Sequence, residues 1–204
     1  FFINQNFLYP LLLRDGTLIN FGIHLNAGVY HIEKFENPEN GKFEFSKIRT
    51  HFHPQFTAHL TKPYIKSNKK YKTIIKPQIL YVKTTANAFN REIPDESFIN
   101  NFFLDYFDLF NRNRLSGNDR SDSISRFDYG VSILKKSNIN NQTSKVGIAQ
   151  SYQLGKHHYL PKNSGISEKF SNILANLEIS PNKYLKIQSY LTIDKDNFSL
   201  NSAY

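Results

Sequence analysis

From Thr17 to Glu33 nearly every second residue is apolar: Ile19, Phe21, Ile23, Leu25, Ala27 and Val29 alternate with Asn20, Gly22, His24, Asn26 and Gly28. Successive side chains leave a strand on opposite sides, so a period of two marks a strand with one apolar and one polar face. The pattern returns at Phe43–Ile65, Tyr71–Lys83, Phe127–Ile133, Val146–Leu154, Ile173–Ile179 and Leu185–Ile193, with shorter candidates at Phe7–Leu13 and Phe198–Tyr204. About nine strands follow, and Phe102–Phe110 is the one helix-compatible apolar run. The chain therefore reads as all-β, an antiparallel up-and-down meander.

The connections add a direction. Arg14-Asp15-Gly16, Ser67–Lys70 and Ser180-Pro181-Asn182-Lys183 are turns by their chemistry, and Lys135–Ser144 is a polar hairpin loop. If Phe43–Ile65 is one long or bent strand, these four lie at one end of the sheet. Pro54 and Pro63 argue against an undisturbed central strand there. The connections near Phe35, Thr84, Gly155 and Asp194 lie at the other end, and they include the two longest. Short turns at one end and long loops at the other is the pattern of an outer-membrane barrel.

A soluble β-sandwich also alternates, so the content of the faces matters. Here the polar faces carry Asn, Gln, Ser, Thr and Gly, the apolar faces carry Ile, Leu, Val, Phe and Tyr, and several strands exceed what a small sandwich needs. Both points favour the barrel. No window holds 18 consecutive apolar residues, which speaks against a membrane helix but not against barrel strands of about 9–11 residues. With no cysteine, disulfides and thiolate metal sites are excluded. The net charge of +9 is carried largely by lysines near turns, such as Lys66, Lys69, Lys70, Lys135 and Lys136. A start at Phe1, no methionine and no leader-like segment read as a piece of a longer chain.

One connection stands apart, a long loop at about 84–123. Five of the seven arginines, Arg91, Arg112, Arg114, Arg120 and Arg126, lie in or beside it with Asp95, Glu96, Asp105, Asp108, Asp119 and Asp128. No lysine occurs between Arg91 and Leu134. Arginine's planar fork grips carboxylates in two places, whereas lysine is a hydrated point charge. An internally paired loop over a barrel mouth or binding site is the expectation.

The same residues carry a resemblance. Lys76-Pro77-Gln78-Ile79, Ile93-Pro94-Asp95-Glu96-Ser97, Asp108-Leu109-Phe110, Asn113-Arg114-Leu115, Ser116-Gly117-Asn118-Asp119-Arg120, Asp128-Tyr129-Gly130 and Val146–Tyr152 follow one another in an order that resembles the carboxy-terminal barrel domain of LptD. This is the outer-membrane lipopolysaccharide assembly family, also called organic solvent tolerance proteins, and the likeness is to its alphaproteobacterial members. The match is specific from about Lys76 to Tyr204. Asp108 stands where Asn is usual in the family, Leu115 replaces an aromatic residue, and the IPDES segment is one residue short.

The resemblance implies an internal portion of a large barrel of a Gram-negative outer membrane, residues 1–204 forming part of the barrel without its amino-terminal jellyroll or its end strands. It implies transport of lipopolysaccharide without covalent chemistry or cofactor. The implied partners are an LptE-like lipoprotein inside the barrel, lipopolysaccharide, a periplasmic bridge protein acting through the jellyroll, and the barrel assembly machinery. The long loop would be an extracellular lumen cap held by pairs among Arg112, Arg114, Asp119 and Arg120, with Asp95 and Glu96 alongside and Gly117 allowing a tight turn.

Other chemistries find less support. His51 and His53 share a face, but no acidic residue lies near them in sequence, so they read as luminal side chains rather than metal ligands. His157-His158 reads as a loop pair. No GxSxG nucleophile motif occurs, and no RNP-like stretch points to nucleic acid. The competing reading from another class is a passive porin or substrate-specific channel built on similar strands, and a soluble β-sandwich binding protein is a third.

Overall fold

The computed structural model describes residues 1–36, 43–84, 104–114, 125–140, 142–155, 168–182 and 184–203. Ten strands form one sheet: β1 (Phe2–Leu12), β2 (Leu18–Glu36), β3 (Phe43–Thr61), β4 (Tyr64–Ser67), β5 (Tyr71–Thr84), β6 (Arg126–Ser137), β7 (Thr143–Gln153), β8 (Ile173–Ser180), β9 (Ile187–Ile193) and β10 (Leu200–Ala203). Each pairs antiparallel with its neighbour in sequence, except that β3 and β4 both pair with β5. A helix, α1 (Tyr106–Leu109), lies in the long connection.

The expected strand at Phe43–Ile65 is thus two pieces on one path. Pro63 has no amide hydrogen to donate, and the ladder resumes at Tyr64, opposite Ile75. At Arg14-Asp15-Gly16 the glycine takes φ +80°, a conformation that side chains with a Cβ rarely adopt, and its amide donates to the Leu13 carbonyl. The polar hairpin loop is shorter than anticipated, because β6 runs on to Ser137 and β7 begins at Thr143.

The sheet is inside out by the standard of a soluble protein. Among the described residues the buried side chains comprise seven apolar ones and eighteen polar or charged ones. The exposed ones include Ile23, Phe52, Ile79, Ile133, Val146 and Ile148. Residues directly opposite each other in an antiparallel pair share a face. The polar face therefore runs continuously from His24 and Asn26 through His53, Gln55 and Thr57, then Gln78, Asp128, Ser132, Ser151 and Asn176. An exposed apolar face around a buried polar one is the arrangement of an outer-membrane barrel, whose outside lipid covers.

The outer face has marked edges. At the long-loop end Tyr81, Phe127, Tyr152 and Phe170 form one register row, with ring centroids 4.7 Å apart for Tyr81 and Phe127 and 4.8 Å for Tyr152 and Phe170. Along β5 the outward residues between Thr73 and Lys83 are Ile75, Pro77, Ile79 and Tyr81. Ten steps at about 3.3 Å and a tilt of about 40° give a height of about 25 Å, that of the apolar band of an outer-membrane barrel. Between Val146 and Tyr152, Gln150 is the polar residue on the outer side of β7. Its Oε1 accepts from the Tyr129 hydroxyl at 2.6 Å, and its Nε2 donates to the Ser171 carbonyl at 2.9 Å, so both ends of the amide are satisfied.

Candidate functional site

The long connection turns back onto the polar face. Its base is clasped where the Thr84 amide donates to Ser125 Oγ at 3.1 Å and that hydroxyl donates to the Thr84 carbonyl at 3.3 Å. Residues 104–114 then cross the inner face from β8 to β3. Asp105 caps α1, its Oδ1 accepting from the amides of Phe107 at 2.6 Å and Asp108 at 2.7 Å, which satisfies two donors a helix start leaves open. Among the described residues of the helix-compatible run at Phe102–Phe110, Tyr106–Leu109 are helical.

What seats α1 is a small apolar cluster in polar surroundings: Leu104, Tyr106 and Leu109 pack with Ala149 and Leu174 of the sheet, and Phe110 closes it. Tyr106 lies on Gly147, the glycine of β7. A Cβ there would come within 2.9 Å of the ring and would also strike Asn176 Oδ1. Gln78 Nε2 donates to the Tyr106 hydroxyl at 3.1 Å, and the Lys145 ammonium stands 4.0 Å from the centroid of the Phe107 ring. Phe110 stacks on His59 of β3 at 6.2 Å. A cavity of about 260 Å³ remains between the segment and β8–β9, lined by Leu104, Asp105, Asp108, Tyr190 and Thr192. Burial, and secondarily the Asp105 charge, push the Asp108 carboxyl up from the usual carboxylate range.

The charged centre lies beside this cluster. Arg126 and Asp128 are two residues apart on the inward face of β6, both fully buried, and Arg126 Nε donates to Asp128 Oδ2 at 2.7 Å. The outer end of the same guanidinium reaches the loop, where Nη2 donates to the carbonyls of Asn111 at 2.6 Å and Arg112 at 3.1 Å. Ser151 Oγ donates to Asp128 Oδ1 at 2.5 Å, and Arg114 Nη1 lies 3.3 Å from Ser151 Oγ and 3.9 Å from Asp128 Oδ1. Asp128 thereby joins a strand arginine, a loop arginine and a neighbouring strand. Charge-assisted bonds in so dry a place are strong and directional.

Of the residues expected to hold the loop, Arg112 and Arg114 reach the inner face: Arg112 Nη1 donates to Gln55 Oε1 of β3 at 2.5 Å, and Arg114 enters the Asp128 cluster. Asp95, Glu96, Gly117, Asp119 and Arg120 lie outside the described residues. Sequence reasoning did not single out Asp128 as the anchor or Arg126 as the bridge. The available signal was an Arg and an Asp at i, i+2 on a strand face that continues with Gly130 and Ser132.

The histidines His24, His51, His53 and His59 all belong to the inner face. His24 is held between Asn6 Oδ1 at 2.8 Å and Thr57 Oγ1 at 3.0 Å, and the rings of His51 and His53 stack at 6.0 Å. Among the described residues no group of three or more His, Asp or Glu is placed to hold a metal ion; His157 and His158 lie outside them.

The family model of LptD, described as LPS transport system D, matches residues 1–204. The chain belongs to the LptD family. The likeness seen from Lys76 onward extends through β1–β4 as well. LptD proteins are transport proteins that serve lipopolysaccharide transport at the outer membrane of Gram-negative bacteria, which accords with a sheet that is polar inside and apolar outside. A search of curated proteins finds no match for this chain.

Proposed function

We propose that this chain is a wall section of the outer-membrane translocon that inserts lipopolysaccharide into the outer leaflet, and that its long loop caps the lumen from the extracellular side. The observation that carries the reading is the docking of residues 104–114 on the polar face through Arg126, Asp128 and Arg114. A loop fixed by buried charge narrows a lumen permanently and gives a protein inside the barrel a defined surface to meet. The resemblance supplies the remaining parts: an LptE-like lipoprotein within, a jellyroll domain in the parent protein to receive lipid from a periplasmic bridge protein, and barrel assembly machinery to install it. Arg112 and Arg114 are loop holders in this reading, joined by Asp119, Arg120, Gly117, Asp95 and Glu96. The steps are binding and passage, with no bond made or broken.

The test is complementation of a strain depleted of its own translocon by the parent protein carrying Asp128→Ala with Arg114→Ala. The expected result is loss of detergent resistance, less lipopolysaccharide at the surface and less co-purified lipoprotein. Normal resistance in cells, combined with ion conductance in planar bilayers that rises in the variant, would favour the porin reading instead.

A further inference from the structure

At the short-turn end of the outer face, four residues form one register row across four strands. Lys66 pairs with Thr73, Thr73 with Lys135, and Lys135 with Ser144. Ammonium and hydroxyl groups thus alternate along a single line on the lipid side. Two residues towards the long-loop end on the same four strands, the next row reads Tyr64, Ile75, Ile133 and Val146, every one exposed. The transition from hydrogen-bond donors to hydrocarbon takes place in one step.

Strand spacing of about 4.8 Å puts the backbones of Lys66 and Lys135 about 10 Å apart with Thr73 between them, within reach of two long stems converging on one group. The Lys135 ammonium stands 4.4 Å from the centroid of the Tyr71 ring, which holds it at the rim. The surroundings share its sign: lysines 66, 69, 70, 72, 135 and 136 lie in the segments 62–72 and 133–145, which contain no Asp or Glu.

We infer that this row binds the phosphate of an anionic glycerophospholipid, with Lys66 and Lys135 neutralising the charge, Thr73 and Ser144 donating to phosphate or ester oxygens, and the acyl chains lying over Ile75, Ile133 and Val146. A soluble anion would not need the apolar row. The short turns of such barrels face the periplasm, so the ligand is a lipid of the inner leaflet rather than the transported one. The site stands independently of the loop and its proposed role.

The experiment uses the purified parent protein in a neutral detergent, with labelled phosphatidylglycerol as the probe and phosphatidylethanolamine and glycerol phosphate as competitors. Phosphatidylglycerol is expected to bind in preference to both. At about fivefold per lysine, Lys66→Gln with Lys135→Gln lowers the affinity about twenty-fold or more, while Lys69→Gln with Lys70→Gln, at the turn tip, changes it less than about threefold. Thr73→Val with Ser144→Ala keeps the charge and is expected to weaken binding severalfold, which preserves the test should the lysine variant fail to assemble. Equal losses from the two lysine pairs would reduce the row to a diffuse field and overturn the proposal. So would equal binding of the two lipids, competition by glycerol phosphate as effective as by lipid, or no effect of the hydroxyl variant.

Discussion

Arg126 is bound at one end to Asp128 of its own strand, across 2.7 Å, and at the other to the carbonyls of Asn111 and Arg112 in a loop that left the sheet at Thr84. A single guanidinium therefore ties barrel wall to loop. It does so from a fully buried position where no water can replace the bonds.

Removing the carboxylate alone should be worse than removing the cluster. Asp128→Ala leaves two arginines without their shared anion, and breaking a buried pair from one side costs about 3–5 kcal/mol. The expected outcome is protease cleavage within residues 104–114 of the assembled barrel, at sites protected in the unaltered protein. Protection equal to the unaltered protein would show that the apolar cluster alone seats the loop.

Gly147 and Tyr106 should couple. Gly147→Val drives a branched side chain into the ring and into Asn176, so α1 must lift. In the double variant with Tyr106→Ala that clash is relieved, and the combined loss of thermal stability should fall short of the sum of the single losses by about 1 kcal/mol or more. Additive losses would place the ring elsewhere.

Loop docking should strengthen in acid at Asp108. Its carboxyl is raised by burial and by Asp105, so the docked loop holds the proton more readily than the undocked one. The stabilisation is complete below the ordinary value of 3.8 and is lost as pH rises through the raised one. Asp108→Asn keeps an acceptor for Asn111 Nδ2, which lies 3.1 Å from Asp108 Oδ1. That variant should dock at neutral pH at least as well as the unaltered loop and with a flatter pH profile, as read by fluorescence quenching of a probe on the loop.

The outward face should behave as a lipid face. Ile148 is 45% exposed, and on a soluble sheet Ile148→Arg would change stability by no more than about 0.5 kcal/mol. Near the middle of a bilayer the same change should cost about 2–4 kcal/mol, measured by denaturant unfolding from lipid vesicles.

The alternation at Thr17–Glu33, Tyr71–Lys83 and Phe127–Ile133 was enough to give the strands and their two faces, because side-chain direction in a strand follows from backbone geometry alone. Turn residues such as Asp15-Gly16 marked the short end for a similarly local reason: Gly16 is free to take a positive φ, and the Asp15 carboxylate accepts from the Thr17 amide at 3.1 Å. The concentration of arginine announced that the connection after Thr84 had a structure to hold. Which face lies inside was only favoured by the sequence, since a polar side next to an apolar side fits both a sandwich and a barrel; burial of His53, Gln55 and Asp128 with exposure of Ile133 and Val146 decided it. The reach of Arg126 to the carbonyls of Asn111 and Arg112, the contact of Arg114 with Ser151, and the seat of Tyr106 on Gly147 were decided by the tertiary structure alone. These contacts join residues brought together by the register of neighbouring strands and the return path of a long loop, and neither is encoded within any one segment.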